Sequence, residues 1–317
     1  MSKYKIAVLD DYQEVAKSFA DWTTITEYAD VKVFTDHLHT EDEVVARLMP
    51  FDIICVMRER TPLPAGLLMR LPNLKLIVST GAKNHSIDVA AAEKLKIEVQ
   101  NTGYLGHGAL ELTWALLMAI AKHIPQENAN FRAGGWQHLV GNDLKGKTLG
   151  ILGLGNLGAQ VAAVAKVFEM DVIAWSENLS REKAAANGAR YVSKKTLFEE
   201  SDYLSVHMVL SDRSKGIVGA ADLALMKPTA YLINTSRGPL VDEQALIESL
   251  QKNKIAGAAL DVFDKEPVDQ DHPFRMLKNV LATPHIGFVT QDTYQLFFND
   301  SVKILREWLP EHVKAAN

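Results

Sequence analysis

Cysteine is almost missing from this sequence: one thiol, Cys55, stands among 317 residues. A lone cysteine cannot close an internal disulfide, so a disulfide-stapled scaffold is excluded and a reducing compartment, the cytoplasm, is expected. Cys55 lies in Ile53-Ile54-Cys55-Val56-Met57. That run reads as a buried strand, with the cysteine a small apolar core residue rather than a catalytic thiol. Long apolar runs are missing too. The nearest, Leu110 to Ile120, carries Glu111 and falls short of the roughly 20 residues that span a bilayer. The opening Met1-Ser2-Lys3-Tyr4-Lys5 runs straight into a strand and reads as no signal peptide. There is no excess of positive charge: the net is -5, with no basic stripe, so no nucleic-acid partner is expected. The histidines show no metal-ligand spacing with cysteine, and no metal site is expected.

What is present is the composition of an ordinary globular chain, 47% hydrophobic and 23% charged, long enough for two domains of about 150 residues each. The first hundred residues alternate strand and helix. Strands are predicted at Lys5 to Leu9, Val31 to Phe34, Asp52 to Met57, Leu74 to Ser79 and Ile97 to Gln100. Helices are predicted between them, including Glu41 to Leu48 and Ile87 to Leu95. A long apolar helix, Ala109 to His123, precedes an irregular stretch around Ala133-Gly134-Gly135-Trp136. Six further strands are predicted: Thr148 to Leu152, Asp171 to Trp175, Tyr203 to His207, Ala230 to Asn234, Ala256 to Leu260 and Val280 to Ala282. A last helix, Thr290 to Leu309, lies beyond them. Short apolar strands separated by helices imply parallel sheets covered on both faces. The expected class is therefore α/β, with two doubly wound domains and a dinucleotide-binding fold in the second.

The strand Thr148 to Leu152 leads into Gly153-Leu154-Gly155-Asn156-Leu157-Gly158, and a helix, Ala159 to Phe168, follows. The first glycine permits the tight turn, the second lets the backbone approach a pyrophosphate, and the third lets helix and strand pack closely. Free N–H groups at the helix start, those of Asn156 and Leu157 included, face the diphosphate. The next strand should end in an acid that holds the ribose. Here Ser176 occupies that position, followed by Glu177 and Asn178. An uncharged residue removes repulsion against a 2′-phosphate, which Ser176, Asn178, Ser180 and Arg181 are able to bind. Glu177 argues the other way, for a free ribose hydroxyl. The cofactor is NAD or NADP, with a slight lean to NADP.

Three later segments join reactive side chains to turn residues: Ile233-Asn234-Thr235-Ser236-Arg237-Gly238-Pro239-Leu240-Val241-Asp242, Ala259-Leu260-Asp261-Val262-Phe263-Asp264-Lys265-Glu266-Pro267, and Thr283-Pro284-His285-Ile286-Gly287. Each follows a predicted strand and so sits at the carboxyl edge of the sheet, where such folds bind ligands. With Leu144-Lys145-Gly146-Lys147 before the glycine turn, these motifs resemble the D-2-hydroxyacid dehydrogenase family over nearly the whole chain. The resemblance implies a catalytic trio of Arg237, Glu266 and His285. It also implies that Asp261 contacts the nicotinamide carboxamide and that Thr80-Gly81-Ala82 offers backbone N–H groups to the substrate carboxylate. Thr235 and His207, at strand ends, are added to the cofactor set. It further implies a flavodoxin-like substrate domain from residues 1–101 plus 290–317, a Rossmann cofactor domain from 102–289, substrate in the cleft, and a homodimer formed largely by the cofactor domains.

The chemistry is consistent on its own terms. Reducing a 2-oxo acid moves a hydride to the carbonyl carbon and a proton to its oxygen. Histidine suits the proton, a carboxylate beside it orients the ring, and an arginine fork matches a carboxylate. Glyoxylate and hydroxypyruvate are the leading substrates. A dinucleotide-sensing, corepressor-like binding protein is the reading from another class, and phosphoglycerate dehydrogenase-like activity is the reading from the same one. Several positions depart from the family pattern. Lys83 stands where many members have a small residue, and reads as solvent-facing rather than substrate-binding. Arg58 and Arg60, either side of Glu59, bind a second anionic group or pair with an acid. Phe288 narrows the pocket. The sequence ends at Asn317, so no regulatory domain of the kind found on many phosphoglycerate dehydrogenases is expected.

Overall fold

A computed structural model describes residues 3–315. The outermost residues of the expected first domain, 1–2 and 316–317, lie outside that range. Residues up to Leu105 together with those from Thr290 form one compact unit, and Gly106–Val289 form another.

The first unit holds a parallel sheet of β1 (Tyr4–Val8), β2 (Ala29–Val33), β3 (Ile53–Val56), β4 (Leu76–Ser79) and β5 (Glu98–Asn101), in the order β2-β1-β3-β4-β5. That is the flavodoxin-type order, whose switch point lies between β1 and β3. Every residue of β3 and β4 is buried, the mark of a parallel sheet covered on both faces. The helix Glu41–Leu48 begins where the sequence predicts, because Thr40 and Glu43 form a reciprocal capping box. The last helix, Gln291–Ala315, runs through Pro310 rather than stopping before it. Proline there removes one backbone donor without ending the helix.

The second unit carries β6 (Thr148–Leu152), β7 (Asp171–Trp175), β8 (Arg190–Tyr191), β9 (Tyr203–Val206), β10 (Tyr231–Asn234), β11 (Gly257–Leu260) and β12 (Val280–Ala282). All pair in parallel, in the order β12-β11-β10-β9-β6-β7-β8. This is the dinucleotide-fold order with one strand more. Alternate residues feed two cores. Leu149, Ile151, Val172 and Ala174 enter one; Leu152, Ile173, Leu204 and Leu232 enter the other, as side chains on opposite sheet faces must.

Two features differ from the sequence reading. β8 is a seventh strand, two residues long and too short to show periodicity. The stretch after the long helix, expected to be irregular, contains a second helix, Ile124–Arg132, with no buried residue and hence no apolar stripe to reveal it. His123 turns the chain in the left-handed region (φ 53°), and Pro125 sits in the first turn, where its missing N–H costs nothing.

Candidate active site

The glycine turn has the local geometry a diphosphate needs. Gly153 has φ +102°, and a Cβ there would lie 2.7 Å from the His207 carbonyl oxygen. Gly158 is pressed against the turn: its Cβ would stand 2.3 Å from the Gly153 oxygen. Gly155 opens onto free space: among the described residues nothing beyond its chain neighbours lies within 4 Å of where its Cβ would be. A turn, an open approach and a tight helix contact thus fall on three different glycines. Gly155 caps the helix Asn156–Val167, whose first N–H groups lack intrahelical acceptors. These residues fit a dinucleotide pyrophosphate.

At the end of β7, Ser176 accepts the Leu179 N–H through its backbone oxygen (3.1 Å). Glu177 and Asn178 are exposed. The Ser180 oxygen is already engaged, capping the helix Arg181–Ala186 through the Lys183 N–H.

His207, just past β9, is buried. Its Nε2 lies 2.8 Å from Ser205 Oγ, while its Nδ1 has no hydrogen-bond partner among the described residues. Burial pushes the imidazole down from 6.5 to about 4, because charging a ring in a dry site is costly.

Strands β10, β11 and β12 are neighbours, so the three motif-bearing loops leave one sheet edge side by side. After β10, Asn234 pins the turn: its Oδ1 accepts from Ser236 N (3.1 Å) and its Nδ2 donates to the Arg237 carbonyl (2.9 Å). Arg237 Nη1 donates to the Ser236 carbonyl (2.7 Å). The Thr235 hydroxyl lies 2.7 Å from that of Thr113, on the long helix His107–Ala121.

After β11 and β12 the expected acid and histidine meet. His285 Nδ1 lies 2.5 Å from Glu266 Oε2, and the other carboxylate oxygen accepts the Phe263 N–H (2.9 Å). About a quarter of the His285 side chain and a third of the Glu266 side chain remain exposed (25% and 31%). His285 Nε2 makes no hydrogen bond among the described residues. The Phe288 ring meets the imidazole edge-on, with centroids 5.5 Å apart. His285 sits at φ +51°, uncommon for a residue with a side chain.

Asp261 holds that conformation. Its Oδ1 accepts from the Thr283 hydroxyl (2.6 Å) and the Ile286 N–H (2.8 Å), and its Oδ2 accepts from the Gly287 N–H (2.8 Å). It is 1% exposed, and burial raises its carboxyl pKa against the pull of these donors. This anchoring was not foreseen in the sequence, where Asp261 reads only as a cofactor contact.

On the first unit, the loop after β4 differs from expectation. The Thr80 N–H donates to the Val56 carbonyl (3.1 Å), and the Gly81 N–H donates to the Thr102 hydroxyl (2.8 Å). Two of the three N–H groups expected to face a carboxylate are therefore already used. Ala82 and Lys83 are exposed. Arg58 (φ 52°) lies over this loop. Its Nη1 would be 1.9 Å from a Cβ on Gly81, its guanidinium is 5.1 Å above the Tyr104 ring, and its Nη2 is 3.4 Å from Glu59. Arg60 Nη1 donates to the Asp10 carbonyl (2.8 Å), and its guanidinium stacks on Tyr12 at 4.3 Å.

Among the described residues there is no cluster of potential metal ligands and no helix long and apolar enough to cross a membrane.

The model of the D-isomer specific 2-hydroxyacid dehydrogenase NAD-binding domain matches residues 114–287. A glyoxylate reductase of Aeropyrum pernix is 40% identical over 237 residues, 72% of this chain and 71% of that protein. A hydroxypyruvate reductase of Thermotoga maritima is 33% identical over 92% of this chain and 94% of its own length. The crystal structure of a phosphoglycerate oxidoreductase from Vibrio cholerae superposes with a TM-score of 0.91 at 37% identity, covering 97% of this chain and 99% of that one. With the family model matched over more than half of its length and relatives at 33–40% identity, the chain belongs to the D-isomer-specific 2-hydroxyacid dehydrogenase family.

Proposed function

We propose that this protein reduces a small 2-oxo acid, glyoxylate or hydroxypyruvate, to the corresponding 2-hydroxy acid, the D-isomer where the product is chiral. The observation that carries the reading is the His285–Glu266 pair, 2.5 Å apart, with Nε2 left to face a substrate. The bound nicotinamide supplies the hydride. His285 gives a proton from Nε2 to the carbonyl oxygen as that oxygen gains charge. Glu266 at Nδ1 fixes the ring's orientation. Arg237 anchors the carboxylate and polarises the carbonyl. Asp261 carries two roles in this reading: it contacts the carboxamide of the cofactor and holds the His285 loop. His207 and Thr235 line the cofactor site. On the first unit, the Thr80–Ala82 loop with Arg58 is assigned to the substrate carboxylate. Because the Thr80 and Gly81 N–H groups are engaged, the Ala82 N–H is the primary backbone donor, and the Arg58 guanidinium, which also reaches Glu59 and the Thr80 and Lys83 carbonyls, adds positive charge beside it.

The cofactor is NAD or NADP, with a slight preference for NADP. Ser176 in place of an acid supports NADP, while exposed Glu177 limits the preference. A homodimer is supported by the helix Ile124–Arg132 and the segment after it, where Ile124 (55%), Phe131 (64%), Trp136 (73%) and Val140 (92%) are exposed. The Phe131 and Trp136 rings lie 6.5 Å apart, and exposed apolar side chains that cluster in this way favour an interface. The single cysteine supports a cytoplasmic location.

Loss of NADH or NADPH absorbance with a panel of glyoxylate, hydroxypyruvate and 3-phosphohydroxypyruvate tests the reading. Turnover on the first two, with NADPH modestly favoured, is expected. No turnover on any would favour a binding role, and a strong preference for NADH would overturn the cofactor assignment.

A further inference from the structure

One carboxylate outside the trio lies where the two loops bearing Arg237 and Glu266 meet. Glu243 is the first residue of the helix Glu243–Gln251, behind the Asp242 cap. Its Oε2 accepts the Asp264 N–H (3.2 Å), and its Oε1 lies 3.1 Å from His272 Nε2. His272 Nδ1 accepts the Phe274 N–H (3.3 Å). That bond leaves the ring proton on Nε2, so the imidazole donates to Glu243. The histidine also caps the turn Pro273–Arg275 and packs on Phe274 at 5.0 Å. Glu243 and His272 side chains are only 22% and 18% exposed, which strengthens both bonds relative to a surface pair.

The peptide that Glu243 grips is the one the site rests on. Gly238, next to Arg237, lies flat against it: a Cβ there would stand 2.0 Å from the Phe263 carbonyl carbon and 2.5 Å from the Asp264 nitrogen. The Phe263 N–H, one residue back, is the donor that holds Glu266 Oε1. The Asp264 carboxyl beside it is pushed up, first by burial and then by the Glu243 charge.

We propose that Glu243, oriented by His272, is a positioning residue for the trio: it clamps the Phe263–Asp264 peptide, and so sets the spacing between Arg237 on one side and Glu266 with His285 on the other. This deepens the proposed 2-oxo acid reduction and rests on it.

Steady-state kinetics and cofactor binding of Glu243→Ala, Glu243→Gln and His272→Phe test it. Glu243→Ala should lower kcat by about 10- to 100-fold, the effect of a small displacement of catalytic groups. The dissociation constant for reduced cofactor, read by fluorescence, should stay within about twofold, since the glycine turn is untouched. Glu243→Gln keeps an oxygen for the Asp264 N–H but turns its NH2 toward the His272 Nε2–H, so it should recover part of the loss, to about the level of His272→Phe. His272→Phe keeps the ring packing and should lower kcat several-fold; it carries the test if Glu243→Ala fails to fold. Unchanged kcat in either Glu243→Ala or His272→Phe would overturn the proposal. So would equal losses in kcat and cofactor binding without rescue by glutamine. If the wild type turns over no 2-oxo acid, the proposed function fails, and the clamp is still decided by NMR. The downfield proton resonance of the His285–Glu266 hydrogen bond, assigned with His285→Gln, should shift or vanish in Glu243→Ala. An unchanged resonance would overturn the clamp.

Discussion

A proton donor is judged by what remains free on its ring. His285 spends Nδ1 on Glu266 and keeps Nε2, so its removal should cost the proton transfer without disturbing the glycine turn. His285→Ala is expected to lower kcat by about a hundredfold or more, with cofactor affinity retained; steady-state kinetics and a fluorescence titration check both. His207 makes a different prediction. Its folded pKa is about 4 against an ordinary 6.5. Between those values the unfolded chain binds a proton that the folded chain refuses, so stability falls as pH is lowered through that window. The wild type should lose about 2 kcal/mol between pH 7 and pH 5 on this account, and His207→Asn should lack that part of the loss. Urea denaturation at the two pH values measures it; identical pH dependence in both proteins would refute it. At this scale the sequence shows residue types but not partners. Arg237, Glu266 and His285 are legible from their turns, yet the contact between Glu266 and His285 depends on β11 lying beside β12. Thr102, which takes the Gly81 N–H, comes from beyond the next strand, and no local pattern reveals it.

The glycine turn is the most legible element, because strand, turn and helix are consecutive in the chain. Its three glycines should fail differently. Gly158→Ala drives a methyl into the Gly153 oxygen and should destabilise the protein by about 1–3 kcal/mol, lowering Tm. Gly155→Ala meets open space and should leave Tm unchanged while raising the cofactor Kd tenfold or more, about 1.4 kcal/mol. Thermal melts and cofactor titrations separate the two; matched effects on Tm would contradict the assignment of roles. Less legible were elements without a buried face. The helix Ile124–Arg132 has no apolar stripe, and β8 is two residues joined to the edge of β7. Periodicity reports burial, so both were invisible to it.

For the molecule as a whole, two parallel sheets with their own cores were readable from alternating strands and helices, and the strand orders came from the structure. The exposed apolar surface around Phe131, Trp136 and Val140 bears on assembly. Replacing Trp136 with Ser and Val140 with Asp together should convert a species with the mass of two chains into one with the mass of a single chain, as light scattering reports. A wild type that is already monomeric would contradict the proposed dimer. The product of hydroxypyruvate reduction reports on the proposed reaction without an intermediary. The wild type should form one D-glycerate for each reduced cofactor consumed, and His285→Ala should do so at about a hundredth of that rate or less. Formation of L-glycerate, no consumption of either reduced cofactor, or full activity in His285→Ala would contradict it.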